Sequence, residues 1–190
     1  MLLDLRPHGQ WEQVNVEVAR FLSLPEGEIA RAGVNIGALA METALGFFHQ
    51  YSHRPQVALI KGNSPVLDPI HAYLLKEAVA VQVFQAADVE DISQIIPQLK
   101  ADLCFFAYVE DHPVTGELLP KVDRWPQALH SARIPFLRLS HHAHRLRKWS
   151  QEPCLGFEFQ IGSWGARGAV ARHGSRWKSV PAVFHPWLLW

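Results

Sequence analysis

The chain has 190 residues, of which 48% are hydrophobic and 19% charged, and its formal net charge is zero. This composition suits one globular domain with a substantial core and excludes a disordered or low-complexity protein. No apolar run approaches the roughly 20 residues that span a bilayer, and a charge at Asp4 comes too early for a secretory leader.

Apolar spacing predicts helices and strands in alternation along the chain. A helix over residues 10–24 is followed by a break over 27–33 and a nearly all-apolar helix over 37–49. Then come a buried strand at 56–60, a helix at 67–78, a strand at 79–84, a helix at 88–99, a strand at 103–109, a helix at 122–132 and a strand at 135–139. Beyond residue 144 the alternation fades, and residues 155–161 and 168–172 are predicted as antiparallel partners at a sheet edge.

Strands that alternate with helices at this spacing predict one α/β domain over residues 1–190. We expect three layers, with helices on both faces of an open, mostly parallel sheet. The sequence contains two cysteines, Cys104 and Cys154, too few for a disulfide framework. Cys104 lies in an apolar run and is predicted to be a buried small side chain. We therefore expect a cytoplasmic protein that does not contact a membrane.

In an open α/β sheet, ligands bind beyond the carboxyl ends of the strands. This rule nominates the loops at 61–68, 110–117, 140–145 and 162–167, together with the start of the helix near Gly37, where free backbone N–H groups attract anions. His141, His142 and His144 form the densest group of potential ligands. No carboxylate or cysteine lies near them at the spacing of a metal-binding motif. The alternative to a metal site is that these histidines form the polar end of a strand, and we expect no metal. No nucleophile elbow, phosphate-binding loop or dinucleotide fingerprint occurs.

The order of these loops resembles the large domain of fold-type I pyridoxal-phosphate enzymes, the superfamily of aspartate aminotransferase and cysteine desulfurase. The segment at 37–45 resembles the small-residue turn that enters the phosphate-binding helix. The segment at 62–71 is similar to the loop that brings an aromatic ring over the cofactor, 111–120 is similar to the Asn-Pro-x-Gly loop, and 139–144 is similar to the hydrophobic-Asp-x-Ala-His segment. The resemblance implies cofactor-binding roles for Gly37, Ala38, Asn63, His71, His112, His141, His144 and Arg167.

The chain departs from this family at two positions that carry its chemistry. The family's aspartate, which keeps the pyridine nitrogen protonated, is replaced by His141, or by Ser140 if the register slips. The segment at 161–167, where the family's Schiff-base lysine is expected, contains no lysine, and Arg167 cannot form an imine. The family's smaller C-terminal domain is also not found before residue 190. We therefore expect no cofactor, since pyridoxal phosphate could bind only without a covalent bond.

Two functions remain open on this basis. The first is a truncated, non-catalytic member of the pyridoxal-phosphate fold that serves as a ligand-binding or protein-interaction module. The second is an enzyme on an open α/β scaffold that uses His141, His142 and His144 for acid–base or metal chemistry.

The distribution of charge and of aromatic residues bears on partners. Residues 1–124 carry nine basic and sixteen acidic side chains, whereas residues 125–190 carry nine basic and two acidic ones. This asymmetry is either chance or a basic surface for phosphate, for nucleic acid or for the acidic part of a second copy. Four tryptophans, Trp164, Trp177, Trp187 and Trp190, lie in an irregular tail. We expect a homodimer that binds a small anionic ligand and does not bind nucleic acid.

Overall fold

One sheet lies between two layers of helices. The structure is a computed structural model that describes residues 8–24, 29–50, 56–99, 102–152, 155, 158–163 and 169–173. In chain order its elements are α1 (His8–Phe21), β1 (Ile29–Gly33), α2 (Ile36–Gln50), β2 (Gln56–Lys61), α3 (Asp68–Lys76), β3 (Ala80–Gln85), α4 (Ile92–Ile95), β4 (Leu103–Val109), α5 (Trp125–Ser131), β5 (Phe136–Ser140), α6 (Ala143–Ser150), β6 (Glu158–Ser163) and β7 (Ala169–His173). Short 3-10 helices occupy Pro65–Leu67, Ala86–Asp88, Ile96–Gln98 and Val122–Arg124.

The strands are arranged in the order β1-β7-β6-β5-β4-β2-β3. The five neighbours from β3 to β6 are parallel, whereas β7 pairs antiparallel with both β6 and β1. β1 therefore runs in the same direction as the five parallel strands. This confirms the predicted open, mostly parallel sheet, and the four strands predicted at 56–60, 79–84, 103–109 and 135–139 lie within one residue of β2 to β5.

Three apolar clusters hold the helices against the sheet. α2 and α3 pack on one face through Leu39, Phe47, Ile70 and Leu74. α4 and α5 pack on the other face through Ile92, Ile95, Trp125 and Leu129. α1 and α6 form a third cluster with β1 through Val18, Leu22, Ala30, Leu146 and Trp149. Helices therefore cover both faces, as predicted, and Cys104 is fully buried in the first cluster.

The sequence-based prediction was wrong at two segments of the chain. The break predicted at 27–33 contains strand β1, and the loop predicted at 140–145 contains the first residues of helix α6. β1 was missed because Ile29–Gly33 is a short strand with an arginine and a terminal glycine, and it forms only by pairing with β7, far along the chain. α6 was missed because its eight residues include only three apolar side chains, Ala143, Leu146 and Trp149.

Three other boundaries also differ from the prediction. β6 and β7 begin later than predicted, and they lie inside the sheet, because β6 pairs with β5 and β7 pairs with β1. The helix predicted over 88–99 is broken into short pieces, and Asp91 caps α4 by accepting a hydrogen bond from Ser93 N. No helix in the described part of the chain is both long and apolar enough to cross a membrane.

The topology places one crevice at the carboxyl edge of the sheet. The chain leaves β2 toward α3 on one face and leaves β4 toward α5 on the other face, although β2 and β4 are neighbours. The loops that follow these two strands therefore diverge, which opens a crevice between them. Open α/β sheets bind ligands at such a switch point. The candidate site follows from this feature.

Candidate ligand-binding site

The crevice between the loops after β2 and β4 contains a cavity of about 610 Å³. Ligand pockets in proteins generally have volumes of about 300–1,000 Å³, so the cavity can hold a small molecule. Its lining comes from the end of β2, the loop after it, α3, the end of β3 and the loop after β4. The polar residues of this lining are Lys61, Asn63, Ser64, Asp68, His71, Gln85 and His112.

Lys61, the last residue of β2, supplies a primary amine to the crevice. Its Nζ lies 2.7 Å from Asp68 Oδ1 and 3.2 Å from His71 Nδ1, and both partners belong to α3. Burial lowers the pKa of His71, and the positive charge of Lys61 lowers it further, while Asp68 opposes the shift. A neutral His71 beside the ammonium group can accept a hydrogen bond from it.

Replacing Lys61 with methionine is expected to raise the pKa of His71, because the nearby positive charge is lost while the rest of the site keeps its shape. Asp68→Asn is expected to lower the same pKa, because the opposing negative charge is lost. NMR titration of the His71 ring protons measures both changes. The matched control is Lys76→Met at the end of α3, which should leave the titration unchanged. If Lys61→Met left the pKa where it was, the ion pair and hydrogen bond described above would be wrong.

A tight turn after β4 presents His112 to the crevice. His112 N donates to Glu117 O, and Gly116 N donates to His112 O, each at 2.9 Å. Gly116 has a φ of +71°, a left-handed conformation that favours glycine. His112 Nδ1 accepts hydrogen bonds from Val114 N at 3.3 Å and Thr115 N at 3.2 Å. Because Nδ1 is an acceptor, the proton of a neutral His112 lies on Nε2.

Asp111, the next residue toward β4, holds the loops after β4 and β5 together. Its side chain is 1% exposed and accepts hydrogen bonds from the Ser140 hydroxyl, from His141 N at 2.8 Å and from His142 Nδ1 at 3.0 Å. Three donors therefore satisfy this buried carboxylate, as burial of a charge requires. We call Asp111, Ser140, His141 and His142 the aspartate cluster.

The aspartate cluster contacts the crevice through one pair of side chains. His141 Nε2 lies 2.7 Å from Ser64 Oγ. Asn63, in the same loop as Ser64, bonds the end of β4 by donating from Nδ2 to Val109 O at 2.6 Å. Its Oδ1 is buried and has no hydrogen-bond partner in the described part of the structure.

The structure brings together some of the residues that the sequence nominated and separates others. Asn63, His71 and His112 line the crevice, and His141 contacts it through Ser64. Gly37 and Ala38 lie in the first turn of α2, where Asn35 Oδ1 accepts a hydrogen bond from Ala38 N at 2.8 Å. Arg167 lies outside the described residues, as do the four tryptophans on which the homodimer prediction depends.

The three histidines of the 141–144 segment have different surroundings. His141 contacts Ser64, and His142 contacts Asp111. His144 lines a separate apolar groove with Phe21, the last residue of α1, and Leu22, which follows it. Across the described ranges, no group of three or more histidine, cysteine, aspartate or glutamate side chains is arranged to hold a metal ion.

A buried charge network lies behind the aspartate cluster, on the face of the sheet that α5 and α6 cover. Arg138 Nε donates to Glu110, and Arg138 Nη1 lies 3.2 Å from both Glu152 and Glu158. Arg145 donates from Nε to the other oxygen of Glu110 at 2.7 Å. Burial raises the pKa of Glu110 although both guanidinium groups lower it, and the surrounding carboxylates raise the pKa of Arg138. We call these five residues the arginine network.

Sequence reasoning missed Lys61, Ser64 and Asp111 as site residues, although all three lie in the loops nominated at 61–68 and 110–117. The available signal was that each of them lies close to the end of a strand. It could not single them out, because Ser64 and His141 are 77 positions apart, and Asp111 and His142 are 31 apart. Such contacts depend on the strand order rather than on any local spacing.

No protein-family model and no curated protein matches this chain. Solved structures do match, among them a D-glucosaminate-6-phosphate ammonia-lyase with a TM-score of 0.64 and 13% identity over 95% of this chain and 52% of the other. A glutamate decarboxylase from Lactobacillus brevis matches with a TM-score of 0.64 and 7% identity over 86% of this chain and 44% of the other. A sphingosine-1-phosphate lyase from Burkholderia pseudomallei matches with a TM-score of 0.62 and 9% identity over 87% of this chain and 44% of the other. The chain spans about half the length of each.

These matches show the fold of the large domain of pyridoxal-phosphate-dependent fold-type I enzymes. They also overturn the expectation that there is no cofactor. The structures of similar fold belong to pyridoxal-phosphate-dependent enzymes, and this finding contradicts an expectation of no cofactor. That expectation was wrong because it was drawn from two positions, the missing aspartate and the missing lysine, and not from the scaffold as a whole.

The crevice fits such a group in its chemistry. Lys61 offers a cation for a phosphate or an amine for an aldehyde. The fit is poorer at the ring nitrogen of pyridoxal phosphate, which needs a carboxylate to keep it protonated. Asp111, which follows the end of β4, is a carboxylate, but three donors of the aspartate cluster already satisfy it.

Proposed function

We propose that this domain binds pyridoxal phosphate, or a closely related phosphorylated ligand, in the crevice between the loops after β2 and β4. It serves there as a ligand-binding module without the transferase chemistry of the resembled family. The observation that carries the proposal is the Lys61 amine, which lines a 610 Å³ cavity at the switch point of the sheet.

The contacts around the cavity support a ligand with a negative charge. Lys61 is a cation whose side chain remains 23% exposed while it pairs with Asp68. His112 carries its proton on Nε2 and lines the same cavity, so it is a second donor. A phosphate group accepts hydrogen bonds from both kinds of donor. Pyridoxal phosphate, when bound, supplies an electron sink, and this depends on a protonated ring nitrogen.

The end of β5 argues against transferase chemistry. In the resembled family an aspartate at this place keeps the ring nitrogen protonated, whereas here His141 follows β5 and pairs with Ser64. A neutral imidazole does not hold that proton as a carboxylate does. The sequence also has no lysine between residues 161 and 167.

Titration with pyridoxal phosphate, followed by quenching of tryptophan fluorescence, tests the proposal. Binding is expected to weaken about tenfold or more in Lys61→Met, because a hydrogen bond to a charged group contributes about 1.5–3 kcal/mol. Pyridoxine phosphate, which lacks the aldehyde, and pyridoxal, which lacks the phosphate, show which end of the ligand Lys61 recognises.

Lys76→Met is the matched control, because Lys76 belongs to α3, the helix that flanks the crevice, but does not line the cavity. It should bind like the wild type. Equal affinity in Lys61→Met and wild type, or no quenching at millimolar ligand, would rule the proposed site out.

The second candidate function is acid–base catalysis by the 141–144 segment. One observation favours it, namely the 2.7 Å contact between His141 Nε2 and Ser64 Oγ. It involves His141 alone among the three histidines, since His142 is held by Asp111 and His144 lies in the groove beside α1.

A further inference from the structure

Ser64 is a serine whose hydroxyl is held in one orientation beside the crevice. Its backbone is extended, with φ −155° and ψ 142°, and it caps the 3-10 helix Pro65–Leu67. Ser64 Oγ accepts a hydrogen bond from Val66 N at 3.2 Å, and the residue is 7% exposed while it lines the cavity. A hydroxyl that accepts this bond keeps its own proton available for another partner.

His141 is that partner. Its Nε2 lies 2.7 Å from Ser64 Oγ, and its backbone is fixed by the 2.8 Å hydrogen bond from His141 N to Asp111 Oδ1. Burial lowers the pKa of His141, and the charges of His142 and His112 act in the same direction, while Asp111 opposes them. A neutral imidazole at this distance from a hydroxyl has the geometry of a general base beside a nucleophile.

A hydrogen-bond donor faces the same cavity from the opposite loop. His112 Nδ1 accepts from Val114 N and Thr115 N, which leaves the proton on Nε2. Ser64 and His112 both line the cavity, from the loops after β2 and β4 respectively. A donor in this position can stabilise negative charge that develops on a carbonyl oxygen when the serine attacks it.

The geometry points to Ser64 as a nucleophile and His141 as its general base, in a site that hydrolyses a small carboxylic ester. Ser64 Oγ forms a bond to the carbonyl carbon, and its proton passes to His141 Nε2. The bond from that carbon to the alcohol oxygen breaks, and His141 returns the proton to the departing alcohol. Water then repeats the two transfers and releases the acid and free Ser64, so no other reactant is needed.

A fluorophosphonate probe tests this pair directly in the full chain without added ligand. Such a probe loses fluoride and leaves a phosphonyl group on an activated serine. Intact mass spectrometry and peptide mapping are expected to find one adduct, on Ser64. His141→Gln is expected to slow its formation about 100-fold, the scale of a lost general base. Hydrolysis of p-nitrophenyl acetate should fall in parallel.

Ser64→Asn removes the nucleophile and keeps a side-chain oxygen that can cap the helix, so it should fold and give no adduct. Ser93→Ala and His49→Gln change an exposed serine and an exposed histidine, and they should react like the wild type. Because the adduct is located in the unaltered chain, an adduct on another residue, or none, overturns the assignment whether or not the variants fold. An equal rate in His141→Gln overturns the role of His141.

Discussion

Replacing Arg138 with alanine is expected to lower the free energy of unfolding by about 3–5 kcal/mol, the cost of removing one partner from a buried ion pair. Arg138 is 1% exposed, and so is Glu158, while Glu110 is fully buried. Without the guanidinium group, Glu158 loses one cation that offsets the cost of its burial, and Glu110 keeps its ion pair with Arg145. The lost stacking of Arg138 on Trp149, at 4.6 Å from the ring centroid, adds to the effect.

Urea denaturation followed by circular dichroism measures this loss. Arg20→Ala is the matched control, because Arg20 forms an exposed pair with Glu17 within α1 and such pairs contribute little. A double-mutant cycle of Arg138→Ala with Glu110→Gln then isolates the coupling within the arginine network. Additive single effects would mean that the two side chains stabilise the fold separately.

Replacing Asp111 with alanine is expected to lower the free energy of unfolding by about 2–3 kcal/mol, because each hydrogen bond to a charged group contributes about 1.5–3 kcal/mol and water replaces part of the loss. The Ser140 hydroxyl, His141 N and His142 Nδ1 all lose their acceptor. For a chain of this size the change corresponds to a fall of about 4–12 °C in Tm.

Differential scanning calorimetry checks the effect of Asp111→Ala, with Asp88→Ala, an exposed aspartate, as the control that should leave the Tm unchanged. Hydrogen exchange at the amide of His141 gives a local measurement, because that amide donates to Asp111 Oδ1. A wild-type Tm combined with unchanged protection at His141 would show that Asp111 does not hold the loops together.

The central strands were predictable because their sequences are sufficient to specify them. β4 is buried at every position, and β2 is buried at its four central positions. A continuous apolar run of this length is typical of a strand covered on both faces. The alternation of such runs with amphipathic segments then predicted the three-layer architecture, because βαβ units place helices on the faces of a parallel sheet.

The rest depends on partners that are distant in sequence. β1 has no apolar pattern of its own and is specified by its pairing with β7. The close approach of α6 to β6 depends on Gly162, because a side chain at that position would come within 2.6 Å of Leu146 Cγ. The same holds for the site. Strand ends predicted its position at the carboxyl edge, but the pairing of Ser64 with His141 follows from the neighbouring positions of β2, β4 and β5.

The pairing of β1 with β7 has a consequence for synthesis on the ribosome. β1 ends at Gly33 and its partner begins at Ala169. At about 5–20 residues per second, roughly 7–27 s pass between the synthesis of the two strands. During that time β2 to β5 can associate as their crossover helices emerge, whereas β1 has exposed backbone donors and acceptors that can pair with other nascent chains. Correct assembly at this end of the sheet therefore depends on how well α1 and α2 shield β1 until β7 arrives.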